Sequence, residues 1–508
     1  MRSQNTRFPV VSTLLATAGA AALPLMAVAA AAALPVTADA ATGSLASSPA
    51  ASPAGTSAPP RPHIVYILSD DQGGKDAGFR GSDIRTPTLD RLAANGARFE
   101  QFYAQNMCTP TRAALLTGRY PFRYGLQTAV IPSAATYGLA TDEWLLPQAL
   151  KAAGYETAIV GKWHLGHGDP KYWPTRRGFD HQYGPLLGEI DYFTHAAHGR
   201  TDWFRNGRPV RETGYVTQLL GDEAVRRIVR HDPAKPLFLY LAFTAPHAPY
   251  QAPEAAIDAY RAVADPTRRT YAAMITSMDA QIGRVVAELE RRGMRDNTLI
   301  VFQSDNGGPR SAKFTGEVDT SKSTIPADNG RYRDGKGTLY EGGSRVMALA
   351  NWPGRIPPGT VVDSPVHVVD MYPTLAGLAG ATSAGAKPLD GLDVWPAIAG
   401  ASPSPRSEVV YAIEPFRAAL RQGDWKLVWQ VTLPSKVELY NLAGDPDERR
   451  DVARDHPESV ARLQARAASL SEQAVPPLIL QSALGASKRV LFGSVALPED
   501  DEAFDLEP

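Results

Sequence analysis

Short apolar runs recur along the chain, and each has the length of a β-strand. They contain almost no polar positions, unlike the alternating pattern of a strand with one solvent-facing side. Continuous runs of this kind are typical of strands that are buried on both faces of a parallel sheet. Four of them stand out, at residues 63–68, 157–160, 237–243 and 298–302. They predict an α/β fold in which helices cover both faces of the sheet.

Polar side chains that can bind ligands or transfer protons follow each run directly. In open α/β sheets, ligands bind at the carboxyl edge of the strands, so we expect these side chains to meet there. The set comprises Asp70, Asp71, Lys162, His164, His247, Asp305 and Asn306. The pattern therefore predicts one site at one edge of the sheet.

Helical patterns lie between the runs. Apolar residues recur every three or four positions between Tyr271 and Leu289, and Gly293 is expected to end that helix. Residues 145–153 predict another helix, which Gly154 closes. We interpret the longer stripe as core packing without a functional role.

The pattern changes after about residue 400. Residues 418–429 predict a hairpin that turns at Gly423, and residues 438–442 predict a further strand. Asp455, with Glu458 three residues on, is expected to cap a last helix. The carboxyl-terminal part is therefore predicted to be a small antiparallel sheet with a helix.

The amino-terminal part differs in composition from the rest. Residues 1–40 combine two early arginines, a long uncharged stretch and an Ala-Asp-Ala cleavage site, which predict an export signal. The alternative is an uncleaved membrane anchor, although two prolines disfavour a stable span. Residues 41–61 are rich in Ala, Ser, Pro and Gly and predict a disordered linker. We therefore expect a periplasmic or secreted protein without a membrane span after cleavage. The rest of the chain is expected to form a catalytic domain at 62–400 and a C-terminal subdomain at 401–508.

Charge and cysteine content narrow the possible functions. Lysine and arginine number 52 against 53 acidic residues, for a net charge of −1, so no basic excess points to nucleic acid. An anionic substrate must then be bound by a local cluster of cations. Cys108 is the only cysteine, so it cannot form an intrachain disulfide and is either a buried structural residue or a chemical centre.

The residues after Cys108 favour a chemical centre. Pro110 suits the first turn of a helix because it has no N–H to leave unpaired, and the alanines and leucines that follow are good helix formers. Cys108 is therefore predicted to lie just before a helix N-terminus, where free N–H groups favour an anion. Arg112, one turn into the helix, is expected to reach back to the same point.

Oxygen ligands are concentrated at two of the strand ends. Carboxylates and an amide carbonyl suit a hard cation, Ca²⁺ or Mg²⁺, better than zinc. The candidates are Asp70, Asp71, Asp305 and Asn306. Taken alone, an Asp-Asp pair is more typical of a solvated turn or a helix cap.

Histidines and cations complete the candidate set. His164 and His247 are either structural histidines or, beside an anion site, groups that transfer protons. Arg112, Lys162 and Lys336 would stabilise negative charge on a transferring group if they converge.

In order along the chain, these motifs resemble those of the sulfatase family, over about residues 62–450. The matching segments are Asp-Asp-x-Gly at 70–73, Cys-Thr-Pro-Thr-Arg at 108–112, Gly-Lys-Trp-His-Leu-Gly at 161–166, the segment of His247, Ser-Asp-Asn-Gly-Gly at 304–308, and residues 336–343. The resemblance implies an alkaline-phosphatase-like α/β fold, in which helices sandwich a large, mostly parallel sheet.

Further segments are similar to one branch of that family, arylsulfatase B (N-acetylgalactosamine-4-sulfatase). They lie at 174–180, 271–278 and 388–395. The polar loop at 309–335 is longer than in that branch and lies where substrate would enter, so the sugar specificity does not carry over.

The resemblance also implies a role for each residue. A formylglycine-generating enzyme would oxidise Cys108 to an aldehyde, whose hydrate attacks the sulfur of a sulfate ester. Ca²⁺ would be bound by Asp70, Asp71, Asp305 and Asn306, together with residue 108. Arg112 and Lys162 would support the hydrate and the sulfate, and His247 and Lys336 would protonate the leaving alcohol. His164 would remove a proton from the second hydroxyl.

The sequence therefore predicts an enzyme that hydrolyses sulfate esters of carbohydrates or aryl alcohols. One alternative is a phosphodiesterase or phosphonate monoester hydrolase on the same scaffold. The other is a protein that binds sulfated glycans without catalysis and whose Cys108 is never converted.

Overall fold

The computed structural model describes residues 61–314, 324–382 and 385–492. The predicted export signal, nearly all of the linker, part of the polar loop and the acidic carboxyl end lie outside these residues. The strands are β1 His63–Ser69, β2 Ala97–Tyr103, β3 Glu156–Gly161, β4 His181–Gly184, β5 Ala196–Ala197, β6 Arg200–Thr201, β7 Phe204–Arg205, β8 Arg208–Pro209, β9 Leu237–Ala242, β10 Thr298–Ser304, β11 Arg345–Asn351, β12 Thr360–Val362, β13 Val366–His367, β14 Glu408–Glu414, β15 Arg417–Gln422, β16 Trp425–Gln430 and β17 Lys436–Asn441. The helices are α1 Pro87–Ala94, α2 Cys108–Thr117, α3 Leu146–Ala152, α4 Val216–Arg230, α5 Glu254–Asp258, α6 Pro266–Arg291, α7 Glu341–Ser344, α8 Met371–Ala379, α9 Trp395–Ile398, α10 Pro457–Ser471 and α11 Leu478–Phe492.

The four apolar runs form the centre of the large sheet. Strands β10, β1, β9, β3 and β4 lie side by side in that order, and each pair of neighbours is parallel. The outer strands β11, β7 and β8 pair antiparallel, while β12 and β13 run parallel to β2. The prediction of a large, mostly parallel sheet is confirmed.

Helices cover both faces of this sheet, as the unbroken apolar runs predict. Alternate residues of β1 point to opposite faces. Tyr66 and Leu68 pack with apolar residues of α2, α3 and α8, whereas Val65 and Ile67 pack with those of α1, α4 and α6. Because both faces are buried, neither face of β1 carries a solvent-facing polar residue.

The predicted helices are present with the expected ends. Helix α6 contains the whole stripe from Tyr271 to Leu289, and Gly293 follows it at φ +66°. Helix α3 is followed in the same way by Gly154, at φ +87°. Glycine suits both positions because a left-handed φ ends a helix without a Cβ clash.

The carboxyl-terminal part is an antiparallel sheet of β14 to β17, on which α10 packs. The hairpin between β15 and β16 turns at Gly423, as predicted. The predicted cap was wrong, since α10 begins at Pro457 after His456 and Asp455 does not cap it. Leu427 and Leu463 belong to the same apolar cluster as Tyr66 of the large sheet, so the two parts share a core.

No helix among the described residues is both long enough and apolar enough to cross a membrane.

Candidate active site

The site is built where β1 and β10 end side by side. Ser69 is paired with Ser304 at the last position of both strands, so the residues that follow them are neighbours. The Asp71 N–H donates to Asp305 Oδ1 at 3.2 Å, and Asn306 Nδ2 donates to Asp71 Oδ1 at 2.8 Å. Asp71 has φ +63°, a conformation that is uncommon outside glycine and that concentrates at functional sites. Parallel pairing thus brings two motifs more than 200 positions apart into direct contact.

Cys108 lies at the start of α2 and contacts Asp70. Its Sγ is 3.4 Å from Asp70 Oδ1, and the residue is 1% exposed. The expectation that Cys108 precedes the helix was wrong by one residue, because the extended Met107 is the cap and Cys108 is the first helical residue. Burial, together with the charges of Asp305 and Asp70, raises the pKa of the thiol. An unmodified Cys108 therefore stays protonated and is a poor nucleophile.

Three cations meet the carboxylates from different elements. Lys162 Nζ lies 2.5 Å from Asp70 Oδ2, and Lys336 Nζ lies 2.7 Å from Asp71 Oδ2. Arg112 contacts Asp305 Oδ2 at 2.8 Å and Asp70 Oδ2 at 3.4 Å. The arginine also donates to the backbone carbonyl of Lys162 at 3.2 Å. Every predicted cation therefore reaches the strand ends.

Charge is balanced within this buried cluster. Burial opposes ionisation of Asp70, yet Lys162, His247 and Arg112 hold the pKa of that carboxyl below its ordinary value. Burial likewise opposes ionisation of Asp71, and Lys336 with His247 holds its pKa low. Three carboxylates then face three cations away from solvent. A divalent cation added to this set would leave a positive surplus, which suits an anionic ester.

The two histidines differ in their surroundings. His247 Nε2 lies 3.3 Å from Lys336 Nζ and 3.6 Å from Asp71 Oδ2, so it is part of the cluster. His164 Nε2 contacts the Ile131 carbonyl at 3.2 Å, and its Nδ1 has no hydrogen-bond partner among the described residues. Burial and the charges of Lys162 and Arg112 lower the pKa of His164, which is therefore neutral at neutral pH. A neutral imidazole can accept a proton.

The donor set fits a metal ion. Ligand atoms of Asp70, Asp71, Cys108 and His247 all lie within 4.8 Å of one another. Asn306 Oδ1 is buried without a hydrogen-bond partner in the described part of the chain, although such carbonyl oxygens are normally paired. An unpaired buried carbonyl beside carboxylates suits a hard cation.

Asp305, one of the predicted metal ligands, accepts hydrogen bonds through both of its carboxylate oxygens. Asp305 accepts from the Asp71 N–H through Oδ1 and from Arg112 through Oδ2. It is absent from the group of close ligand atoms, which contains the predicted ligands Asp70, Asp71 and Cys108 together with His247, a residue predicted only for proton transfer. The structure thus brings the predicted residues together and gives Asp305 the additional task of holding Arg112.

Comparison with known proteins identifies the family. A family model described as Sulfatase matches residues 62–381. Arylsulfatase J of Mus musculus is 35% identical over 483 residues, which cover 84% of this chain and 78% of the mouse protein. This chain belongs to the sulfatase family. N-acetylgalactosamine-6-sulfatase of Homo sapiens is also similar, at 36% identity over 68% of this chain and 67% of the human protein.

Solved structures agree with the alkaline-phosphatase-like fold. A structure titled Ps i-CgsB in complex with k-i-k-neocarrahexaose has a TM-score of 0.76 and 33% identity, and the match covers 85% of this sulfatase and 97% of that chain. A phosphonate monoester hydrolase of Agrobacterium radiobacter has a TM-score of 0.58 at 21% identity over 81% of this chain and 95% of its own, which shows the shared fold alone. The sulfatase described here is a sulfuric ester hydrolase. The resemblance to the arylsulfatase B branch stays a prediction, since these relatives carry other names.

Sequence reasoning missed side chains that surround Lys336. The ring of Phe314 lies 5.4 Å from Lys336 Nζ. Arg417, from β15 of the carboxyl-terminal sheet, donates to the Gly337 carbonyl at 2.9 Å. Neither residue has a local signal, because a single aromatic or a strand arginine becomes part of a site only through tertiary contact.

The cation-binding interpretation is testable at Asp71. Asp71→Asn removes one carboxylate charge from the ligand group while keeping its shape. We expect the affinity for a divalent cation to fall at least about tenfold, because ligand charge sets affinity at such sites. Calorimetric titration of the cation-stripped protein with Ca²⁺ and with Mg²⁺ measures this. Asp363→Asn, at an exposed position, is the control and should not change the affinity. Equal affinities in the two variants would place the ion elsewhere.

Proposed function

We propose that this sulfatase removes sulfate groups from sulfated carbohydrates, with residue 108 acting as formylglycine beside a bound Ca²⁺. The observation that carries the proposal is the contact of Cys108 with Asp70, within a buried cluster of three carboxylates and three cations. The carbohydrate class is supported by relatives named for N-acetylgalactosamine 6-sulfate and by the solved relative that holds a neocarrahexaose.

Formylglycine and the ion supply chemistry that the unmodified side chains lack. Asp70, Asp71, Asp305 and Asn306 would hold Ca²⁺, with residue 108 as a further ligand. The ion would contribute fixed positive charge, whereas a formylglycine hydrate would contribute an oxygen nucleophile with a second hydroxyl. Ca²⁺ is favoured over Mg²⁺ because the donors come from several protein elements, whereas Mg²⁺ sites usually keep several waters.

Arg112 and Lys162 are assigned to the sulfate group. Both are fully buried, and both reach Asp70, against which Cys108 lies. Positive charge fixed at this point stabilises the negative charge that develops on the sulfate oxygens, and it needs no rearrangement during the reaction.

Lys336, His247 and His164 are assigned to proton transfer. Lys336 and His247 are in contact at 3.3 Å, so either can deliver a proton to the departing alcohol and be replenished by the other. Asp71 raises the pKa of Lys336 despite its burial, which keeps the ammonium protonated. His164, neutral and with Nδ1 unpaired within the described residues, accepts the proton whose removal releases sulfate.

Maturation and location complete the proposal. We infer that the protein is exported to the periplasm or beyond, and that a formylglycine-generating enzyme converts Cys108. These inferences rest on the amino-terminal composition and on the Cys-Thr-Pro-Thr-Arg motif.

A phosphodiesterase or phosphonate monoester hydrolase is the alternative activity, since such an enzyme shares the fold. We expect p-nitrophenyl sulfate to be hydrolysed with a kcat/KM at least about 100-fold above that of bis-p-nitrophenyl phosphate, because relatives that are 35% and 36% identical to this chain are sulfatases, whereas the phosphonate monoester hydrolase is only 21% identical. Steady-state kinetics with both substrates distinguish the two activities. A preference for the diester would contradict the proposal.

Conversion of Cys108 can be detected directly by mass spectrometry. In protein from its native host, the tryptic peptide that spans residues 99–112 should be lighter than the unmodified peptide, because oxygen replaces sulfur and two hydrogens are lost. Protein produced without the converting enzyme provides the unmodified reference. Unmodified cysteine in every molecule of an active preparation would exclude formylglycine catalysis. Unmodified cysteine in an inactive preparation would instead favour the alternative of a protein that binds sulfated glycans without catalysis.

Lys336→Ala tests the assignment of the acid. We expect kcat to fall about 100-fold or more, the usual contribution of a general acid, while the fold stays intact. Turnover of a sugar sulfate measures the loss, and circular dichroism checks the fold. Lys313→Ala is the control, because Lys313 also lies against Phe314 but contacts none of the carboxylates described here. Full activity of Lys336→Ala would contradict the assignment.

A further inference from the structure

The segment that carries Lys336 is fixed on its inner side by both halves of the site. The Gly337 N–H donates to the Asn106 carbonyl at 2.8 Å, two residues before Cys108. The Gly307 N–H, directly after Asn306, donates to the Gly343 carbonyl at 2.9 Å. A Cβ on Gly307 would lie 1.7 Å from the Gly342 oxygen, so the two backbones pack without room for a side chain. Residues 336–343 therefore bridge the Cys108 helix and the end of β10.

The carboxyl-terminal sheet holds the same segment on its outer side. Arg417 Nη1 donates to the Gly337 carbonyl at 2.9 Å, on the residue next to Lys336. The other end of the guanidinium is fixed, since Nη2 lies 2.8 Å from Glu414 Oε1. The arginine thus joins the hairpin of β14 and β15 to the backbone of the catalytic lysine.

A buried ion cluster holds the far end of the segment to the same sheet. Lys426 Nζ lies 3.0 Å from Glu341 Oε1 and 2.7 Å from Glu448 Oε1. Tyr411 donates to Glu341 Oε1 at 2.6 Å, and the Glu341 N–H donates to Glu448 Oε2 at 2.6 Å. The charged side chains of this cluster are shielded from solvent. Buried charges persist only where they are paired, so the cluster fixes the distance between β16 and residue 341.

We propose that Arg417 is a positioning residue for Lys336. The proposal rests on the proposed function, in which the Lys336 ammonium delivers a proton to the leaving alcohol. Gly337 has φ +80°, a conformation that glycine adopts without strain, so its peptide needs an external contact to stay in one orientation. The Asn106 carbonyl holds the N–H of this residue, and Arg417 supplies the contact to its carbonyl, one residue from Lys336. The carboxyl-terminal sheet, which lends no side chain to the cluster of carboxylates and cations, then acts on catalysis through the backbone.

Leaving-group dependence provides the test. p-Nitrophenol departs readily without a proton, whereas a sugar alcohol needs one, so a misplaced acid affects only the second. For Arg417→Gln we expect kcat on a monosaccharide sulfate to fall about tenfold, and kcat on p-nitrophenyl sulfate to change less than about twofold. Both assays use the full chain from a host that converts Cys108. An equal loss on the two substrates would overturn the proposal.

Two further variants separate positioning from general damage. Arg466→Gln is the matched control, because Arg466 also forms an ion pair with a glutamate of β14, Glu408, at 2.9 Å through Nε and Nη2. It should leave kcat on both substrates unchanged, and a selective loss like that of Arg417→Gln would overturn the proposal. In a Lys336→Ala background, Arg417→Gln should add no further selective loss, since coupled residues are not additive. An additional tenfold loss there would show that Arg417 acts independently of Lys336.

Failure of the proposed function would look different. If the unsubstituted enzyme hydrolysed neither sulfate, the proposed function and this inference would fall together. If it hydrolysed both and Arg417→Gln kept the same ratio of rates, only the positioning role would be wrong. Arg417→Lys should restore part of the lost sugar-sulfate turnover, because it keeps a donor to the Gly337 carbonyl without the guanidinium fork.

Discussion

The buried carboxylate of Asp70 imposes the constraint on which the site depends. An isolated charge at zero exposure is strongly unfavourable, and it persists because Lys162 and Arg112 lie within 2.5 and 3.4 Å of it. These partners come from the end of β3 and from α2, so the buried carboxylate is stabilised only where both elements are packed against β1. The same packing seats Cys108 on Asp70. One set of packing contacts therefore places both the charged cluster and Cys108.

The parallel centre of the sheet explains why one edge carries all of this chemistry. Strands β10, β1, β9 and β3 end together, and each delivers its polar residues to the same side. Cys108 and Arg112 arrive instead on α2, and Lys336 arrives on a segment that does not directly follow a strand. Contacts from Asn106, Gly307 and the carboxyl-terminal sheet hold that segment in place. The carboxyl-terminal sheet thus helps to hold the Lys336 segment, which no parallel strand carries, and the two sheets share one apolar cluster.

Local patterns predicted the central strands, the ends of α3 and α6, and the hairpin at Gly423. Each depends on a short-range property, namely an unbroken apolar run or a glycine that tolerates positive φ. Other predictions failed where contacts with neighbouring residues determine where a helix begins. Asp455 has the sequence of a cap, yet α10 starts after His456. Helix α2 begins one residue early because Met107 is extended.

By itself, the sequence determined which residue types stand after the strands and which family they resemble, because spacing within a motif is local. Only the tertiary structure decided which contacts each of those residues makes. Asp305 holds Arg112 with one oxygen, His247 joins the close ligand atoms, and the Asn306 carbonyl has no hydrogen-bond partner among the described residues. The contact of Arg417 with the Lys336 segment also belongs to the tertiary structure, since 80 residues of chain separate the arginine from Gly337. Contacts over such separations depend on sheet pairing and core packing, which no short pattern encodes.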